Sequence, residues 1–294
     1  MPIVLGLAAA LAYGLSDFVA GVLSRRVHYS LVALIGNGVA CLATILALLV
    51  TTPPAPSIQA LAWGAASGIG SGLGTLVLFR GLARGRMGIV APLSALGAAA
   101  IPVVIGVGLG DRPSVTAWAG VLLALPAIWL VSTSSEPVGE TGLSSDAPAT
   151  RPRRAMASGA IEGLLAGLCF ALLFVGLNFA GDGSGLWPVV AGQTTGVVIP
   201  AIFLAGTVSR LGGIRMGRRD AALITSVGML GATAAIAYFL STQGGLLSIV
   251  AVLTSLYPAT TVILARIVLD ETIARRQAIG LVLAGIAVAL IVLG

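Results

Sequence analysis

The sequence predicts an all-α integral membrane protein: ten transmembrane helices arranged as two inverted five-helix repeats. Three observations carry that prediction: the apolarity of the chain, the even spacing of its apolar runs, and its similarity to itself at a fixed offset. Apolar residues make up 57% of the 294 residues and charged ones 9%, at a mean hydropathy of +1.07. A soluble domain carries about 25% charged residues. So few charges could not cover a soluble surface of this size.

The apolar runs fall at 2–23, 31–50, 58–80, 88–110, 114–132, 158–180, 186–207, 220–242, 245–268 and 274–293. Each approaches the roughly 20 residues a bilayer crossing needs. Backbone groups in lipid must be satisfied within their own segment, so the runs are helices. The first run lacks a basic leader and is too long for a signal core, so it reads as a retained span. Cys41 and Cys169 both fall inside spans and read as small apolar residues rather than a disulfide or metal pair. In the third span, Gly64, Gly68 and Gly72 repeat every four residues. That spacing admits another helix backbone at close range, and its place within a span excludes a phosphate loop. Pro92, Pro102 and Pro258 are expected to kink spans four and nine, where they are candidate gates.

Charge gives an orientation. The chain has sixteen Arg and no Lys. Fifteen of the arginines belong to the odd-numbered connections, and only Arg112 lies on the other side. The positive-inside rule places the odd connections in the cytoplasm and both termini outside. With its arginines in short loops between spans, a net charge of +6 is no sign of a nucleic-acid partner. The stretch 133–157, rich in Ser, Thr, Pro and Glu, reads as a flexible polar linker on the cytoplasmic side. It separates a first repeat, 1–132, from a second, 158–294. With five spans each, the repeats must be inverted relative to one another.

At an offset of 160, residues 79–131 align with 239–291 without a gap, and fourteen of the 53 positions are identical. At 156, Gly36-Asn37 faces Gly192-Gln193, and at 157 GLAAALAYG (6–14) faces GLLAGLCFA (163–171). GVGLGDRPSVTAWAG (106–120) and IVLDETIARRQAIG (267–280) are then the same turn in the two repeats. Asp111 and Glu271 are counterparts, each expected to precede a helix start and accept its backbone N–H groups. Asp270 and Glu271 read first as structural turn residues, and otherwise as members of a gating ion pair. Inverted helical repeats enclosing a midplane site are a transporter architecture.

The segment 255–288, with Pro258, Glu271, Gln277 and Gly280, resembles the end of an EamA repeat. So does LFRGLARGRMGIVAPL (78–93) at the junction of spans three and four, and YGLSDFVAG (13–21) at a repeat start, with Asp17 where Asn is usual. The chain therefore resembles the ten-span, two-repeat EamA members of the drug/metabolite transporter superfamily. The resemblance implies a secondary carrier, often an exporter, of small metabolites such as amino acids or amphiphilic drug-like compounds. From the residues, no enzyme activity, cofactor or metal is expected; the expected partners are a small-molecule solute and membrane lipids, with the chain a monomer or homodimer in the cell membrane. Family members often have cytoplasmic termini; the arginine count says the reverse.

Asp17 is the sharpest candidate for solute or proton contact. An ionisable residue within a span costs about 2.5–3.5 kcal/mol on insertion scales. The alternative is an ion pair with Arg80 at the inner end of span three. Glu162 reads as a helix-start acid at the interface. Asn37 and Gln193 are expected near opposite membrane faces, either contacting solute or bonding between helices. Tyr13, Tyr238 and Tyr257 are candidate cavity residues, whereas Trp63 and Trp187 read as an interfacial belt. Ser71, Thr75, Ser94, Thr254 and Ser255 add hydroxyls at that depth, with bonding back to their own helix the competing fate. Hydroxyls, amides and aromatics with few fixed charges favour neutral, zwitterionic or amphiphilic solutes over polyanions. Two rivals compete with a metabolite carrier. GLGD (108–111) matches an intramembrane aspartyl protease signature but needs a second facing Asp. A lipid flippase or passive facilitator needs no ion coupling. The single His28 lies in a loop, so histidine-dependent catalysis lacks parts.

Overall fold

The computed structural model describes residues 1–24, 26–51, 54–84, 87–132, 150–207, 217–270 and 272–294. Glu271, most of the 133–157 stretch and the side chain of Pro92 lie outside the described residues. The described chain is helical throughout: α1 Pro2–Leu23, α2 Tyr29–Thr51, α3 Ile58–Ala83, α4 Met87–Gly108, α5 Val115–Ser132, α6 Thr150–Phe179, α7 Trp187–Thr207, α8 Arg218–Thr242, α9 Leu247–Thr254, α10 Tyr257–Val268 and α11 Arg275–Val292. Nine helical stretches among the described residues are long and apolar enough to cross a membrane, with α9 and α10 together forming one of them. Within α4, the tenth crossing, lies the apolar stretch Leu93–Gly108.

Two boundaries depart from expectation. The ninth span is broken rather than merely kinked. Pro258 has no N–H to offer the Thr254 carbonyl. Ser255 and Leu256 form a turn there, with the Leu256 N–H donating to Leu253 O at 3.2 Å and Ala259 N–H to Leu256 O at 2.9 Å. By contrast α4 runs unbroken through Pro102. The second departure is α6, which begins at Thr150, inside the stretch read as linker. Pro152 falls in its first turn, where a missing N–H costs nothing. Glu162 is therefore well inside α6 and is no helix-start acid.

Counterpart helices run antiparallel, as inversion demands. Along α2 and α7, Tyr29 meets Phe203, Asn37 meets Gly196 and Cys41 meets Thr194. The numbers rise on one helix as they fall on the other. Close contacts recur as symmetry mates. Gly68 of α3 sits on the Gly192 carbonyl of α7, and its counterpart Gly228 of α8 sits on the Gly36 carbonyl of α2. Likewise Gly120 of α5 packs on Ile291, and Gly280 of α11 packs on Val131. Each repeat's first helix packs against the other repeat: Gly6 of α1 meets Leu253, and Gly163 of α6 meets Leu93. The three spaced glycines of α3 do what their spacing predicts. They lie against Pro188, Gly192 and the Gly196–Ile199 turn of α7, where any side chain would meet backbone or a Cβ.

The interior is built largely of Ala, Gly, Ser and Leu, and the outside is apolar. Val4, Leu49, Val104, Leu122, Ile202 and Val282 are each more than 60% exposed, as suits side chains facing lipid rather than water.

Candidate functional site

The symmetry that packs the helices also builds a central cavity. Its empty volume is about 930 Å³, counting the part open to solvent. That is many times the roughly 30 Å³ a water occupies in the liquid. Both repeats line it, and at equivalent positions. Tyr13 and Asp17 of α1 line it with their counterparts Phe170 and Phe174 of α6. Gly36 and Asn37 of α2 line it with Gly192 and Gln193 of α7. Ser67, Gly68, Ser71 and Thr75 of α3 line it with Val227, Gly228, Gly231 and Ala235 of α8.

Seven of the sequence-predicted residues meet here: Tyr13, Asp17, Asn37, Ser71, Thr75, Gln193 and Tyr257. Four do not, among them Ser255, which is fully buried. Tyr238 is fully buried behind the wall, its hydroxyl donating to the Phe174 carbonyl at 3.0 Å and its ring 4.5 Å from that of Phe174. Thr254 is fully buried and turns its hydroxyl to Gly6 O at 3.4 Å, toward α1. Ser94 bonds back to Ala91 O at 2.9 Å, the usual fate of a helical serine. Asn37 and Gln193 are not near opposite faces. The antiparallel α2–α7 pair crosses close to both residues, so inversion brings them together. The Asn37 Nδ2 donates to Gly196 O at 2.8 Å, which joins the two repeats beside the cavity.

Among the described residues, Asp17 is the only charged one on the lining. It has no ion pair or hydrogen bond among the described residues. The expected rival partner, Arg80, is engaged elsewhere: its Nε lies 3.6 Å from Glu162 Oε1, and Arg84 Nη1 lies 2.8 Å from the same oxygen. That pair of contacts ties α3 of the first repeat to α6 of the second. Tyr13 and Tyr257 flank Asp17 closely enough to feel its charge. The Tyr257 hydroxyl is buried and meets no hydrogen-bond partner among the described residues, with the Ser94 side chain beside it. Its position follows from the break in span nine, which places Tyr257 at the first turn of α10.

The turn acids behave differently from expectation. Asp111 does not cap α5. Ser114 does, accepting from the Ala117 N–H at 3.1 Å. Asp111 Oδ2 instead accepts from the Ser248 N–H at 2.9 Å and the Ser248 hydroxyl at 2.8 Å, at the start of α9 in the other repeat. Among the described residues no second aspartate bonds to it there. Asp270 has φ 52° and reaches Arg266 at 3.8 Å, with its side chain 95% exposed. The start of α11 is held by Gln277, whose Oε1 accepts from the Ala274 N–H at 3.0 Å. His28 is occupied locally, with Nδ1 2.7 Å from Ser30 Oγ and its ring stacked on Tyr29.

The aromatic wall of α6 is what sequence reasoning missed. Phe170, Leu173, Phe174 and Leu177 are spaced as one helical face. The offset of 157 pairs Phe170 with Tyr13 and Phe174 with Asp17, a signal that was available in the sequence.

A solved crystal structure of a protein, described no further, superposes on 99% of this chain and 96% of its own with a TM-score of 0.71. At 16% identity the likeness is one of fold alone. No curated protein sequence matches the chain significantly. The description of the EamA-like transporter family matches residues 1–133 and 157–293. With nearly the whole chain matched in two parts, and those parts packed as inverted mates around one cavity, this multi-pass membrane protein belongs to the EamA-like transporter family.

Proposed function

We propose that the chain is a secondary transporter, working as an exporter of small metabolites or amphiphilic compounds by alternating access. The single observation that carries this reading is the shared cavity, lined at equivalent positions by both repeats and holding the Asp17 carboxylate, which has no ion pair among the described residues. Inverted mates can exchange conformations: what one repeat adopts toward one face, the other can adopt toward the opposite face. Two contacts between repeats lie far apart in the bundle and suit the role of alternating closures. One is Arg84–Glu162, between the end of α3 and α6. The other is Asp111–Ser248, between the α4–α5 turn and α9. Asp17 is the candidate for proton coupling, since solute and proton would compete for one carboxylate. The arginine-rich connections are cytoplasmic on this reading, and the termini extracytoplasmic.

The test is solute-driven proton movement in liposomes containing purified protein and an enclosed pH dye. Coupled export predicts a pH change on adding a transported solute, lost in Asp17→Asn. Solute flux without any pH change would leave a facilitator. Movement of labelled lipids alone would replace the carrier reading with a flippase.

A further inference from the structure

We infer that the solute is an organic cation with an apolar or aromatic body, its charge held at Asp17 and its body laid against α6. This rests on the transporter reading and names the solute class of the same cavity. The two walls of the cavity are chemically unequal. Among the described residues, Asp17 is the only charged group on the lining. No Arg or His lines the cavity among the described residues, so a solute carboxylate or phosphate would find no counter-charge there. Among the described residues, the elements packed on α1 bring no cation to it either. Arg80 of α3 is turned to Glu162, and Arg266 of α10 is turned to Asp270. Arg218 and Arg219 open α8, more than two helical turns before its cavity residues begin at Val227. The titratable groups facing Asp17 are the phenols of Tyr13 and Tyr257. Both are neutral and present rings to a bound cation.

The opposite wall is apolar. Phe170, Leu173, Phe174 and Leu177 form one stripe of α6 along the cavity. Tyr13 and Phe174 meet with ring centroids 6.3 Å apart and planes tilted by 58°. The carboxylate is thus bracketed by rings from both repeats. A cation buried against aromatic faces and one carboxylate is recognised by both. A zwitterion leaves one charge unmatched, and an unmatched charge in an apolar site is costly.

The test is equilibrium binding to the full-length protein in nanodiscs at pH 8. The probes are benzyltrimethylammonium, its uncharged isostere neopentylbenzene, and the zwitterion phenylalanine. Benzyltrimethylammonium is expected to bind at least about tenfold more tightly than either of the others. Asp17→Asn is expected to weaken it by about ten- to a hundredfold, and Asp17→Glu to retain the preference, which separates charge from misfolding. Phe174→Leu is expected to weaken it by about two- to tenfold. Tighter binding of phenylalanine, or cation binding indifferent to Asp17→Asn, overturns the inference. The two readings fail separately. If liposomes containing the protein move phenylalanine but not the cation, the solute class is wrong and the transporter stands. If they move neither these probes nor any other soluble solute, both fall.

Discussion

On the first repeat's side of the cavity stand Tyr13, Asp17, Ser67, Ser71 and Thr75; at the equivalent positions of the second stand Phe170, Phe174, Val227, Gly231 and Ala235. The backbones that carry them match closely. Gly68 and Gly228 each press on the carbonyl of the matching glycine in the facing helix, Gly192 and Gly36. The difference separates two kinds of constraint. Positions where helix meets helix must obey the pseudo-twofold relation, because a methyl group on either side would collide with backbone. Lining positions outside those contacts, such as Asp17 and Thr75, carry no such collision and have diverged. In this molecule, matched counterparts mark packing and mismatched ones mark chemistry. Asn37 and Gln193 combine the two roles, as the glycine mates Gly36/Gly192 and Gly68/Gly228 do on the same lining. They are matched in type and face the cavity, and Asn37 at least also joins helices.

The comparison can be broken most severely at the glycines. Gly68→Val and Gly228→Val are each expected to destabilise the folded protein by about 1–3 kcal/mol or more, through overpacking against a carbonyl. Thermal unfolding in detergent should show the two effects to be similar in size. Gly231→Ala adds a methyl group to open cavity space, with nothing within 4 Å. It should leave the unfolding temperature unchanged while altering solute affinity. Unequal losses at Gly68 and Gly228 would contradict the mate relation.

Next in size come the polar ties between repeats. Asp111→Ala removes the acceptor of two hydrogen bonds and leaves the Ser248 N–H unpaired, for an expected loss of about 1–3 kcal/mol. Glu162→Gln removes a tie to two arginines that are nearly half exposed, so about 1 kcal/mol or less is expected. Both should also speed exchange between cavity-open states, readable as faster labelling of a cavity cysteine. The smallest expected effect is at Asp270. Its Arg266 contact is solvated and its backbone is already left-handed. Asp270→Gly should change stability by no more than about 0.5 kcal/mol.

Much of this was legible in the sequence, and the physics says why. Helix ends followed from apolar length, because lipid leaves a backbone no other choice. The repeat offsets of 156, 157 and 160 aligned mates that the fold then packed together. Asp17 stood out because a charge within a span is costly. Legibility failed where three-dimensional context decided. Tyr238 and Thr254 are polar at the right depth, but they face Phe174 and Gly6 instead of the cavity. Inversion alone predicts Asn37 and Gln193 near opposite membrane faces, and the sequence offset holds nothing that says where their helices cross. Where the antiparallel α2–α7 pair crosses determines whether mates separate or meet. Asp111 was read as a cap for its own repeat, whereas it caps α9 in the other, a swap that no local pattern encodes.

Alternating access of the shared cavity is the central claim, and sided cysteine labelling tests it most directly. In a Cys41→Ala, Cys169→Ala background, Ser71→Cys places one thiol on the cavity wall. Sealed vesicles would be treated with a membrane-impermeant maleimide from either side, with and without a transported solute. The account predicts labelling from both sides and slower labelling when solute is bound. Labelling confined to one side, under every solute and pH condition, would contradict it.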